Sequence, residues 1–188
     1  MIQSYSDYKE YLRQDALANI KEERCNWFKL CVKAWFGFDQ YRALQYLRAL
    51  RKFEYLLNCT SGAIGKLRQF IAKVRWYRLS AKYDIRIKPN VVGYGFRLPH
   101  PMGGVILSCR SVGNHCTANA GVIVGRKTNS GYAVIGNNVD LTVGCKVIGE
   151  VHIGNNVIVA PNSVVVKDVP DNAIVSGIPA TILKMREV

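Results

Sequence analysis

Three histidines, six cysteines and thirteen acidic residues are the side chains of this 188-residue sequence from which acid–base, nucleophilic or metal chemistry could be built. His100 stands apart from the rest. It lies in Leu98-Pro99-His100-Pro101-Met102-Gly103-Gly104-Val105-Ile106, where two prolines stiffen the backbone and two glycines allow a close approach. A neutral imidazole held there can take or give a proton near pH 7. The cysteines (Cys25, Cys31, Cys59, Cys109, Cys116, Cys145) contain no C-x-x-C pair and do not cluster with the histidines, so they read as buried reduced thiols and no metal site is expected. His115 and His152 occupy ordinary positions of the repeat described next.

From residue 135 an aliphatic side chain returns every sixth position: Ile135, Leu141, Val147, Ile153, Val159, Val165. Six residues of α-helix advance by about 600°, which would throw successive anchors onto opposite faces, so helix is excluded. The same phase extends back through Val124, Ala118, Val112 and Ile106, with turn-forming Gly113-Asn114, Gly136-Asn137-Asn138 and Gly154-Asn155-Asn156 between anchors. Each hexad is a short strand and a tight turn. Three hexads close one coil of about eighteen residues, and stacked coils bury a continuous aliphatic column. The phase breaks at His100: Val92 to Leu98 is six residues, but the anchor expected next, Ile106, comes eight later, so Pro99 to Gly104 must bulge from the coil.

The first half has another character. Residues 1–90 hold 18 of the 26 Lys and Arg residues against 8 of the 13 acidic ones, within a net charge of +13. Asp7 and Glu10 form a capping pair that opens a helix toward Ile20, and Asn58 to Gly62 separates a helix from about Asp39 from another beginning near Ser61. In the last helix Ile64, Leu67, Phe70, Ile71, Val74 and Tyr77 make an apolar stripe, with Lys66, Arg68, Lys73, Arg75 and Arg78 on the remaining faces. That stripe is expected to pack on the first coil or on a neighbouring subunit; the functional alternative is peripheral contact with an anionic membrane surface. No base-reading or stacking element for nucleic acid can be placed.

Composition sets the outer bounds. The chain is 49% hydrophobic and 21% charged, which excludes a disordered tail and supports a core without metal or disulfide staples. No apolar run approaches the roughly 18 residues of a membrane span. Met1 to Glu10 lack the features of a secretory signal, so a cytoplasmic chain is expected, at the inner membrane face if the basic helix touches lipid.

The hexads, the stretch Leu98 to Ile106, the interrupting loop after Gly125-Arg126-Lys127, and the ending Val169-Pro170-Asp171-Asn172 to Ser176-Gly177-Ile178-Pro179-Ala180 together resemble the hexapeptide-repeat acyltransferases. Within them they are similar to the serine acetyltransferase-like branch, which also includes capsule and O-antigen acetyltransferases. The resemblance implies a mainly β fold: a left-handed parallel β-helix over residues 83–188 after a helical N-terminal domain over 1–82. It further implies a homotrimer, which the arms would allow to pair as a dimer of trimers, and acetyl-CoA as acetyl donor with no metal required. A β-helix family that binds zinc through three histidines is a rival, but His100, His115 and His152 lack the close pairing of such a site.

The family's histidine is the general base for an acceptor hydroxyl, a role that falls here on His100. Its orienting acid would be Asp84, because the family's acidic slot before Pro89 is occupied by Arg86, and an extended segment would put Asp84 on the same face. The tetrahedral oxyanion would be met by backbone N–H groups. The CoA pattern carries over to Arg126 and Lys127, Val143 and Gly144, Ala160 and Pro161, and Ile178 and Pro179, with Lys167 or Lys184 toward the nucleotide phosphates.

For the acceptor, the positions that in serine acetyltransferases carry an Asp before the histidine and an Arg-His pair read Pro99 and Gly131-Tyr132. A small zwitterion needs both charged partners and a sugar hydroxyl neither. The expectation is therefore O-acetylation of a sugar or polysaccharide precursor, with serine O-acetylation as the alternative and a non-catalytic β-helix scaffold as the reading from a different class.

Overall fold

The computed structural model describes residues 1–127 and 131–187. Four helices come first: α1 (Tyr5–Ile20), α2 (Trp27–Trp35), α3 (Asp39–Cys59) and α4 (Gly62–Tyr83). Ser4, not Asp7, is the N-cap of α1: its Oγ accepts from Asp7 N (3.0 Å), and Asp7 Oδ2 accepts from Gln3 N (2.9 Å). The break at Asn58 to Gly62 falls where the sequence places it. Helix α2 carries no signal that the spacing analysis used; Asn26 caps it by accepting from Phe28 N (2.9 Å).

Among the described residues thirteen short strands follow: β1 (Ile85–Ile87), β2 (Val105–Leu107), β3 (Ser111–Val112), β4 (Thr117–Ala118), β5 (Ile123–Gly125), β6 (Val134–Ile135), β7 (Asp140–Leu141), β8 (Lys146–Ile148), β9 (His152–Ile153), β10 (Ile158–Val159), β11 (Val164–Val165), β12 (Ala173–Gly177) and β13 (Ala180–Met185). They form three faces of a solenoid, ordered β1-β2-β5-β8-β11, β3-β6-β9 and β4-β7-β10-β12-β13, and every pairing is parallel except the closing β12–β13 hairpin. About five coils result, the parallel β-helix with a helical N-terminal region that the hexads imply.

Register explains the hexads. Val147 lies over Val165, Ile135 over Ile153 and Leu141 over Val159, and all six anchors from Ile135 on are buried. The upstream phase is off by one residue at Ile106. In β2 it is Val105 and Leu107 that point inward, and Leu107 stands in register with Ile87 and Val124. Strand alternation turns Ile106 outward, so the insertion carrying His100 is one residue longer than the spacing suggests.

The corners are held by side-chain ladders. Asn114, Asn137, Asn155 and Asp171 stack at one corner: Asn114 N donates to Asn137 Oδ1 (2.8 Å), Asn137 N to Asn155 Oδ1 (2.8 Å) and Asn155 N to Asp171 Oδ1 (2.7 Å). Beside them His115, Asn138, Asn156 and Asn172 all have φ between 55° and 61°, a conformation Asn tolerates better than most residues.

An open solenoid end exposes unpaired backbone groups. Here the helices cover the first coil with polar side chains. Asp15 accepts from Phe96 N (3.0 Å), Asn19 accepts from Leu98 N (3.1 Å) and donates to Phe96 O (2.8 Å), Glu54 accepts from Asn90 N (2.7 Å), and Arg51 donates to Val92 O (2.9 Å) and Gly93 O (2.5 Å). One apolar core runs from α3 and α4 down the solenoid to Val175.

Of the two placements expected for the stripe of α4, on the first coil or on a neighbouring subunit, the first is not observed: Ile64, Leu67, Phe70, Ile71, Val74 and Tyr77 are exposed in the single chain. The face that docks is the one bearing Gly65, Ala72, Trp76 and Tyr83, where Trp76 stacks on Phe53 (5.5 Å between centroids) and its Nε1 donates to Tyr46 Oη (3.2 Å). Small residues let α4 approach α3 closely, and one indole fills the space that the stripe was expected to fill. No helix among the described residues is long and apolar enough to cross a membrane.

Candidate active site

After the buried Leu98 the chain leaves the first coil. His100 precedes a 3-10 turn over Pro101–Gly103, and the chain returns at Val105. Glycine is required twice. A Cβ on Gly103 would meet Ala120 Cβ at 2.5 Å, and Gly104 has φ +76° with Asp84 Oδ2 3.0 Å from where its Cβ would stand. The imidazole of His100 is 69% exposed, and its Nδ1 lies 3.1 Å from Asp39 Oδ2. Asp39 is the first residue of α3, and its other oxygen lies 3.5 Å from Arg42 Nη1.

Asp84 does not take the place expected of it. It is the C-cap of α4 in the left-handed conformation (φ 52°, ψ 42°), so the segment is not extended until Ile85. Its carbonyl accepts from Val105 N (3.0 Å), and its carboxylate faces Gly104 and a cavity of about 560 Å³ bordered by Trp76, Arg86, Lys88 and Ile106. The carboxylate at His100 comes instead from Asp39, 61 residues away in sequence, a separation that no local spacing signal spans.

Val143 and Gly144 lie on the corner between β7 and β8, and Ala160 and Pro161 on the same corner one coil on. A backbone ladder ties this edge together: Gly121 N donates to Gly104 O (2.8 Å), Gly144 N to Ala120 O (2.8 Å) and Asn162 N to Val143 O (3.0 Å). Gly177 N donates to Ser163 Oγ (3.1 Å), which brings the β12–β13 turn with Ile178 and Pro179 to the foot of that edge. These six positions and the loop of His100 therefore share one edge. Its narrowness is built in, since a Cβ on Gly144 would stand 2.2 Å from Asn162 Oδ1. Such an edge presents backbone groups and small side chains along its length.

Arg126, Lys127 and Lys167 lie elsewhere. They follow β5 and β11, at the far end of strands that span about 10 Å. Lys184 sits in β13 opposite Ile174. The guanidinium of Arg126 and the ammonium of Lys88 both lie over the Tyr132 ring, at 4.8 and 5.4 Å. Tyr132 is thus a platform for two cations at a place where the sequence suggested only a missing ligand.

The remaining candidates are structural. His115 occupies a left-handed corner under Gly95 and meets Tyr94 edge-on (5.1 Å), while His152 points outward from β9. All six cysteines are unpaired. Burial pushes the thiols of Cys109 and Cys145 up to about 12 and that of Cys116 up to about 11, so they are neutral and poor nucleophiles near pH 7. Among the described residues no group of three or more His, Cys, Asp or Glu side chains is placed to hold a metal ion.

Comparison with known proteins returns no matching family model. Sequence relatives include serine acetyltransferases of Synechococcus elongatus (35% identical over 103 residues, 53% of this chain and 42% of the relative) and Staphylococcus aureus (36% over 104 residues, 53% and 49%). The chain spans less than half the length of these relatives. Solved structures with the same architecture include the serine acetyltransferase of Brucella abortus (TM-score 0.70, 23% identity, 96% of this chain and 70% of that one). A serine acetyltransferase in complex with CoA (0.69, 22%, 96% and 72%) and the soybean enzyme complexed with serine (0.71, 20%, 95% and 70%) match similarly.

These relatives overturn the expectation of a sugar or polysaccharide acceptor, because they are serine acetyltransferases. That expectation rested on uncharged side chains at Pro99 and Gly131-Tyr132. Two uncharged loop positions do not leave a site uncharged, since Asp39 reaches His100 from α3, with Arg42 beside its other oxygen. The chain therefore has the hexapeptide-repeat β-helix fold, helical N-terminal region included, of the solved serine acetyltransferases.

Proposed function

We propose that this chain is an acetyl-CoA-dependent serine O-acetyltransferase with His100 as general base. The observation that carries the reading is the imidazole of His100, exposed on a stiff loop at the head of an edge whose corners suit a pantetheine chain. The serine acetyltransferase relatives support serine as the acceptor.

Acetyl-CoA would supply the acetyl group as a thioester. Val143, Gly144, Ala160, Pro161, Ile178 and Pro179 would hold it along the edge, mostly through backbone groups and apolar contact. A serine hydroxyl is a weak nucleophile until its proton is taken, and His100 Nε2 would take it, because Nδ1 faces Asp39. Buried neutral thiols offer no competing covalent route. A homotrimer belongs to this reading, with the exposed apolar face of α4 as a surface for subunit contact.

The test is thiol release from acetyl-CoA with L-serine, by the full chain and by His100→Ala. Serine-dependent release that is lost in the variant supports the reading. No release and no CoA binding by a well-folded protein would leave a β-helix scaffold.

A further inference from the structure

We infer that Asp39 is the positioning residue for His100, so that the helical region is part of the acetyl-transfer site rather than only a cover for the first coil; this rests on the reading of His100 as base. The loop prolines fix the backbone on either side of His100 but not its ring, and an imidazole 69% exposed turns about χ1 and χ2 unless something holds it. Among the described residues the one side chain hydrogen-bonded to it is Asp39, whose Oδ2 lies 3.1 Å from Nδ1.

Asp39 is itself well anchored. It opens α3, where a carboxylate suits the helix N-terminus. Its Oδ1 faces Arg42 Nη1 at 3.5 Å, and Arg42 Nε donates to Ala34 O (3.3 Å) in the preceding helix. Farther along α3, Arg51 and Glu54 bond the first coil at Val92, Gly93 and Asn90. The helix that delivers Asp39 is thus bonded to the coil that delivers His100, which fixes the distance between the two.

The consequence is chemical. Nδ1–H donating to Asp39 selects the tautomer whose Nε2 lone pair faces outward, toward an acceptor hydroxyl. When Nε2 takes the hydroxyl proton, the imidazolium forms beside a carboxylate already in place. Among the described residues, the ion pairs place Asp39 and, behind it, Arg42 at this ring, both on α3, with Asp84 facing Gly104 at the end of α4.

The experiment compares wild type, Asp39→Asn and Asp39→Glu, reading kcat, the KM for acetyl-CoA and the tautomer of the His100 imidazole by nitrogen NMR of the full chain. Asp39→Asn should lower kcat by about 10-fold or more at pH 7 with the KM for acetyl-CoA unchanged. It should also lower the share of the Nδ1–H tautomer of the His100 ring, and Asp39→Glu should recover part of both. In the background of His100→Ala, Asp39→Asn should have no further effect on kcat. An unchanged kcat and an unchanged His100 tautomer in Asp39→Asn would overturn the inference. If the wild type transfers no acetyl group, the base reading fails on its own, and the tautomer still decides whether Asp39 holds the ring.

Discussion

Arg51 Nε stands 2.9 Å from Asp15 Oδ2 with both side chains wholly shielded from solvent, so α3 and α1 meet over the first coil through a dry ion pair. Burial alone works against the guanidinium charge, but the adjoining carboxylates of Asp15 and Glu54 outweigh it and hold the Arg51 pKa above its ordinary value. The other side-chain bonds of these three groups go to backbone of residues 90–96, the segment that leads to His100.

Arg51→Ala removes the cation and leaves two buried carboxylates without their partner. The expected loss is about 3–5 kcal/mol of stability, measured as the shift in denaturant midpoint. Asn19→Ala removes only neutral hydrogen bonds to Leu98 N and Phe96 O and should cost about 1 kcal/mol. Equal effects of the two substitutions would contradict the account of the charged network.

His100→Ala should abolish most serine-dependent thiol release, by about 100-fold or more in kcat, while leaving the denaturation midpoint within about 0.5 kcal/mol, because the ring is largely exposed. A large loss of stability would show that the loop is structural.

Gly144→Ala tests the shared edge. Gly144 has φ +69°, and an added Cβ would meet Asn162 Oδ1 at 2.2 Å. The corner must shift, at a cost of about 1–3 kcal/mol. The KM for acetyl-CoA should rise with it, as steady-state kinetics on the folded variant would measure. An unaltered KM would move the donor off this edge.

Native alkylation at pH 8 should modify only the partly exposed Cys31 and Cys59, leaving the buried Cys25, Cys109, Cys116 and Cys145 until the chain is unfolded. Burial also pushes Tyr46 Oη up to about 12. For these groups the native state holds its protons to higher pH than the unfolded chain, whose thiols ionise near 9. Their contribution to stability is therefore fully present below about pH 9 and is lost as pH rises toward 11–12. Denaturation midpoints at pH 8 and 10.5 read the effect, and a midpoint that rises with pH would contradict it.

The aliphatic period of six determined the solenoid, because only a repeating short strand and turn keeps Ile135, Leu141, Val147, Ile153, Val159 and Val165 on one inner surface. The break in that period also marked the His100 loop, since extra residues in a closed coil have nowhere to go but outward. The sequence misplaced the anchor in β2, because Ile106 and Leu107 are both aliphatic and only the register with Ile87 and Val124 decides between them. It left α4 open between the first coil and a neighbouring subunit for a related reason: periodicity shows that a helix has two faces, and packing against α3 chose the face with Gly65, Ala72 and Trp76. What only the tertiary structure decided is the pairing of groups distant along the chain. Asp39 reaches His100, and Asp15 and Arg51 hold the segment before it, through the docking of α1 and α3 on the open end of the first coil. A hydrogen bond is set by position in space, and spacing in sequence reports position only within a single helix, strand or coil.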